Sequence, residues 1–341
     1  MLNIRDHGGN YGGGKYRAGT EYDESSIKVV TTKGNGRLDW EVGFSAGYTG
    51  QTTNYVWALS NLIFYKIPSN GAGGTSSTFS GESSGTDLAA NSEVVGVGTS
   101  DSTNGKLRIY SDSGLVFQTG SNSGSYYYTS AQCVGADNVT KDILYGVGWN
   151  GGSALNIHRF SKTGVRIWSG MSYQGAPKAI ASMPNSGAVI VDANNYLVTY
   201  NSIGTRVATT NLVSGGYQNT VISDDQGNIY MIRVDPTSPY ANYLVKYNKD
   251  LVKQAEVPLD ALLSPQGIPI HLYAVNGFVF TYLGGIVKKF NTTDLGLVAS
   301  YFQGSTTSYG GLHVDPATKK VTLIGNSKLR KIDLNTYYTL A

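Results

Sequence analysis

The chain has 341 residues, among them 44 glycines and 25 tyrosines, with 14% charged residues and a formal net charge of +3. A length of this order suits one large all-β domain, and Lys and Arg this few and this dispersed exclude a basic nucleic-acid surface. The single cysteine, Cys133, excludes an intrachain disulfide framework and lies in an apolar run, so it reads as a buried, inert thiol.

Residues 1–26 carry six glycines among Tyr, Lys and Arg and follow neither strand nor helix periodicity, so the expectation is a flexible docking arm. The opening residues lack the apolar core of a secretory signal, and no window is long and apolar enough for a membrane span, so a soluble chain is expected. From Ile27 the pattern changes. Ile27–Val30, a Lys-Gly-Asn-Gly turn and Leu38–Val42 read as a hairpin.

The most informative stretch is Leu155 to Trp168, which reads as two short strands around a Gly-containing turn. Its frame, an apolar residue three positions before Phe160, recurs as Leu62/Tyr65, Leu107/Tyr110, Leu197/Tyr200, Leu244/Tyr247, Val287/Phe290 and Leu329/Ile332. The copies stand 40 to 50 residues apart, the interval of stacked supersecondary units.

Each unit divides into four strands. Val221–Ser223, Ile229–Ile232, Leu244–Tyr247 and Gln254–Val257 form one set, with Asp225-Gln226-Gly227-Asn228 as a turn. The last unit repeats it as Leu312–Val314, Val321–Ile324, Leu329–Ile332 and Tyr337–Leu340. Second strands such as Val94–Val97 and Ala188–Val191 are apolar on both faces, as a sheet packed between two other sheets requires. The expected fold is therefore all-β, a β-propeller of four-stranded blades over residues 27–341, with seven blades and eight as the alternative. The hairpin before the first full unit is expected to close the ring, by joining the last blade or completing the first.

Phe160 to Trp168, and less fully Lys33 to Trp40, resemble the strand–turn–strand–Trp motif of quinoprotein-like propellers, and Gly311 to Pro316 resembles the opening of YVTN-type repeats. Placing Gly36 on Gly164 sets Trp40 on Trp168. The segment Asn3-Ile4-Arg5-Asp6-His7-Gly8-Gly9 resembles the start of tail-associated proteins in phages of Gram-positive bacteria. The enzymatic branch of the first resemblance implies a quinone cofactor, a calcium site and a vicinal cysteine pair; with Cys133 alone, no cofactor is expected.

Motifs that could carry chemistry have plainer readings. Gly9 to Lys15 copies the spacing of a phosphate-binding loop, but Tyr16 stands where Ser or Thr would hold magnesium. Gly43-Phe44-Ser45-Ala46-Gly47 and Gly81-Glu82-Ser83-Ser84-Gly85 fit a nucleophile elbow without the helix it needs. His7, His158, His271 and His313 are scattered, and no metal site is expected. Asn138-Val139-Thr140 and Asn291-Thr292-Thr293 match a glycosylation acceptor.

Tyrosines in the connections leading to innermost strands are the candidate binding residues. Tyr126, Tyr127, Tyr128, Tyr173, Tyr217 and Tyr309 fall there, with Trp149 and Tyr240 in connections between second and third strands. Together they would ring one mouth of a central channel, where tyrosine can stack on a sugar and donate a hydrogen bond. The structural alternative is that they wedge neighbouring blades together.

The sequence thus supports a non-enzymatic structural and host-surface-binding component of a phage tail or similar virion part. Its arm would dock onto other virion proteins and its loops would bind a host glycan or protein, with no nucleic acid and no membrane insertion. The alternatives are a propeller enzyme acting on a polysaccharide or small metabolite, with acids such as Asp192, Asp224 and Asp315 near strand ends, and a purely architectural scaffold; a soluble cytoplasmic location is the alternative to the virion.

Overall fold

The computed structural model describes residues 15–16, 33–34, 37–44, 47–100, 105–119, 131–148, 156–212, 216–234, 242–259, 271–283, 285–302, 311–315, 317–318, 320–325 and 328–334. They form seven sheets, each with four antiparallel strands, arranged as a closed seven-bladed β-propeller. Blades 1 to 6 are continuous in sequence over 48–78, 84–118, 131–170, 177–211, 216–259 and 271–302, and blade 7 begins at 312.

The ring is closed by the N-terminal segment. Arg37–Gly43 pairs antiparallel with Lys328–Asp333 and takes the fourth-strand place of blade 7, where Tyr337–Leu340 were expected; those residues lie outside the described set. Lys33–Gly34 pairs in parallel with Leu297–Phe302 of blade 6, and Lys15–Tyr16 adds a short strand outside Arg37–Gly43. The segment 27–43 therefore clasps two blades, and its Ile27–Val30 half lies outside the described residues. Because blades 6 and 7 share this strand pair, chain entropy opposes their separation, which an open ring would not prevent.

Second strands are the most buried, as both-face apolarity requires: every residue of Val94–Ser100 and of Gly187–Asp192 is buried. Apolar clusters straddle the blade boundaries. Cys133, Leu144, Ile157 and Trp168 of blade 3 pack with Ile180, Ile190, Val198 and Tyr200 of blade 4. Across the closure, Phe44, Val56, Ala58 and Ile67 pack with Ile324 and Leu329.

The repeating unit has a local cause. After the third strand, Ser161, Asn201 and Asn248 each accept backbone N–H bonds from residues two and four further on through the side-chain oxygen. This Asx-type bend needs a left-handed residue at its fourth position, filled by Gly164 (φ +83°), Gly204 (φ +78°) and Leu251 (φ +62°). Blade 1 departs from the expected frame. Leu62 is in the turn before Ile63–Pro68, and the buried pair three apart is Phe64 and Ile67.

Trp40 and Trp168 do occupy matching places on fourth strands, opposite Lys331 and Arg159 of the third. Trp168 is buried, stacks on Tyr200 with ring centroids 6.5 Å apart, and meets Gly204 of blade 4; Trp40 lies against Gly71 of blade 1. Each indole docks on the third-to-fourth turn of the next blade, and a Cβ at either glycine would collide with the ring.

Candidate functional site

The seven innermost strands surround a central cavity of about 740 Å³, to which every blade contributes lining residues. Small side chains hold it open, among them Ala89, Ala136, Ala181 and Ala274. Its polar groups come from different blades: Tyr48, Thr86 with Asp87, Asn138, Lys178, His271 with Tyr273, and His313.

Asp87 is held by two backbone donors, Leu88 N–H at 2.8 Å and Val134 N–H of blade 3 at 2.8 Å. Burial nevertheless outweighs them and pushes its carboxyl up to about 7, so near neutrality it is divided between acid and carboxylate. Tyr48 is pushed up to about 12, chiefly by burial and further by Asp87. His271 and His313 are both brought down to about 4 by burial; at His313 Asp315 opposes the shift and Lys331 adds to it. Tyr273 meets His313 edge to face at 4.8 Å and is raised to about 12, mainly by burial. At pH 7 these imidazoles and phenols are neutral hydrogen-bonding groups.

Of the tyrosines and tryptophan expected at the mouth, Tyr126, Tyr127, Tyr128, Trp149, Tyr240 and Tyr309 lie outside the described residues. For Tyr217 only the strand position is described, opposite Arg233 in blade 5. Tyr173 is 37% exposed and stands against blade 4, edge to face with Tyr196 at 4.9 Å and with the Arg206 guanidinium 4.6 Å from its ring centre. It does not line the central cavity.

Asp192, Asp224 and Asp315, the acids named near strand ends, do not line the cavity. Asp192 accepts the N–H groups of Gln174, Asn194 and Tyr196; Asp224 binds the N–H groups of Gln226 and Asn228 and the Tyr230 hydroxyl. Asp315 caps Ala317 and Thr318 and accepts from Gln51 of blade 1 at 2.9 Å. All three are consumed in turns and clasps. Ser83 likewise donates to Ser100 O at 2.8 Å on the way into a strand, whereas Ser45 lies outside the described residues. Cys133 is buried, with its thiol raised well above the usual value by burial, and donates weakly to Pro177 O.

Asp87, His271 and Tyr273 are what sequence reasoning missed as a group. A signal existed: Asp in Thr-Asp-Leu-Ala-Ala and His in His-Leu-Tyr-Ala-Val interrupt otherwise apolar innermost strands. Among the described residues, no group of three or more His, Cys, Asp or Glu is placed to hold a metal ion, and no helix is long and apolar enough to cross a membrane.

No protein-family model matches this sequence, and comparison with curated proteins finds no match. Among solved structures, a chain in one described as "Crystal Structure of Mitotic Checkpoint Complex" superposes with a TM-score of 0.66 at 10% identity, covering 95% of this chain and 99% of that one. At that identity the likeness is one of fold, and the class it supports is the β-propeller.

Proposed function

We propose that the chain is a non-enzymatic binding component of a particle, in the sense of a phage tail or similar virion part, which attaches through its N-terminal segment and presents the propeller to a glycan or protein on a host surface. The observation that carries this reading is the path of that segment. Lys33–Gly34 and Arg37–Gly43 lie on the outer edges of blades 6 and 7, with Lys15–Tyr16 outside Arg37–Gly43, so the described part of that segment lies at the rim. A tether at the rim leaves the two faces of the disc and the channel mouths open to a partner. The propeller in the mitotic checkpoint complex also belongs to an assembly, which is compatible with a binding role.

Immuno-electron microscopy of particles purified from the source, with an antibody against residues 60–341, tests this. Label at a tail tip or outer surface, lost on deletion of residues 1–26, is the expected result; particles without label overturn it.

A further inference from the structure

Four innermost strands carry a bulge. In blades 2, 3, 4 and 5 the pairing of first with second strand slips near its start, between Gly85 and Asp87, Ala131 and Cys133, Pro177 and Ala179, and Tyr217 and Val221. In blades 1, 6 and 7 the described part of the same pairing runs in register. A bulge inserts residues that the ladder does not use and re-aims their side chains. Here three of the inserted residues, Thr86, Lys178 and Thr220, line the central cavity. Three of these four bulges thus add polar groups to the channel wall, and blade 6 supplies His271 and Tyr273 to the same cavity.

Several of these groups lack a full set of partners. Among the described residues, the buried Thr86 Oγ1 and His271 Nε2 have no hydrogen-bond partner, and the buried Tyr273 Oη makes none within normal geometry, with the Asn138 side chain beside it. A buried polar atom left unpaired is costly, and such atoms gathered in one cavity are a demand for hydrogen-bonding atoms supplied from outside. The cavity, at about 740 Å³, falls in the size range of small-molecule sites, roughly 300–1,000 Å³, and admits about one or two sugar rings. The lining alternates such polar groups with alanine and valine, which suits a ligand carrying hydroxyls on an apolar ring. Asp87 in the wall disfavours an anion, and Lys178 disfavours a cation.

We propose that this channel is an end-on pocket for a neutral saccharide, whose hydroxyls pair with Thr86, His271 and Tyr273. The proposal rests on the glycan-binding reading above and moves its site from the face loops to the channel. It calls for no catalysis, since no bond in the sugar needs to break for the pocket to be filled.

Saturation-transfer NMR on the full chain tests it, with glucose, galactose, rhamnose and N-acetylglucosamine as neutral probes and glucuronate as the charged one. The expected result is transfer to at least one neutral sugar and none to glucuronate. Thr86→Val and Tyr273→Phe, which keep shape and remove only the hydroxyl, should each weaken that transfer at least about tenfold, a loss of about 1.4 kcal/mol. Tyr173→Ala should leave it unchanged. Ala274→Leu, which fills the channel, should abolish it, with an unchanged far-ultraviolet spectrum showing that the variant folds. No transfer from any neutral sugar, or transfer indifferent to Thr86→Val, Tyr273→Phe and Ala274→Leu, overturns the pocket.

The two readings fail separately. Cell binding by the labelled propeller that survives Thr86→Val and Tyr273→Phe sinks the channel pocket and leaves the particle role standing. Sugar binding in the channel of a protein carried by no particle does the reverse.

Discussion

The indole Nε1 of Trp40 donates to the carbonyl of Ser69 at 3.1 Å, tying the strand that closes blade 7 to blade 1. Gly71 packs on the same ring, and Gln51 of blade 1 reaches Asp315 of blade 7. The seam between the ends of the chain is thus held by an indole on a glycine turn. Trp40→Phe keeps most of the apolar contact and should cost about 1 kcal/mol, the net worth of one hydrogen bond. Trp40→Ala should cost about 3 kcal/mol, because a ring-sized void opens at the seam. Urea unfolding measures both, and equal losses in the two variants would mean that the ring face contributes nothing.

Arg159 is fully buried and joins two blades. Its guanidinium binds Asp142 at 2.8 Å, Asp137 at 2.5 Å and Gly187 O of blade 4 at 3.1 Å. Burial would raise the Asp137 carboxyl, but the Ser182 hydroxyl, the Thr140 and Val139 N–H groups and Arg159 outweigh it and hold the pKa below the ordinary value. Arg159→Met should cost about 3–5 kcal/mol, since it strands two carboxylates against the protein interior. Because a depressed carboxyl pKa contributes stability above its unfolded value and loses it as pH falls through the folded one, the wild type should lose this contribution below about pH 4. The variant should lose less over that range in a pH series of urea midpoints.

The ring, its blade count and its second strands were legible because they rest on local chemistry: the Asx bend after Ser161, Asn201 and Asn248, and apolar runs such as Ala188–Val191. The closure was legible only as a choice between two ends, since nothing local says that Arg37–Gly43 rather than Tyr337–Leu340 pairs with Lys328–Asp333. The channel was hardest to read. Thr86, Lys178 and Thr220 reach it through bulges, and a bulge is a slip between two strands that neither strand shows alone. Where Asp315 points was not legible for a related reason: strand-end position does not say which way a turn consumes a carboxylate.

Gly164 tests the repeat itself. Its φ of +83° suits glycine, and a Cβ there would sit 2.2 Å from the Phe117 ring of blade 2. Gly164→Ala combines left-handed strain of about 1 kcal/mol with overpacking of about 1–3 kcal/mol. Phe117→Ala in the same chain should recover the overpacking part, so a double-mutant cycle should give a coupling near that size. Additive effects would show that the bend, and not the blade contact, requires glycine.

Asp87 and the two channel histidines make opposite contributions between pH 4 and 7. The Asp87 carboxyl is raised in the folded chain to about 7, so its contribution is fully present below the unfolded value near 4 and is lost as pH rises through 7. His271 and His313 are lowered to about 4, so theirs is present above the unfolded value near 6.5 and is lost as pH falls through 4. On acidification the two imidazoles must take up protons unfavourably while the carboxylate takes one up favourably, and the effects partly cancel. Asp87→Asn keeps an oxygen for the Val134 N–H and removes the charge. It should stabilise the protein at pH 8, by about 2 kcal/mol after allowance for the partial solvent exposure of the site. It should also steepen the stability loss between pH 6.5 and 4, because the histidines then act unopposed. Urea midpoints at pH 4, 5.5, 6.5 and 8 measure both effects, and parallel curves for the two proteins would mean that Asp87 titrates as an ordinary exposed carboxylate.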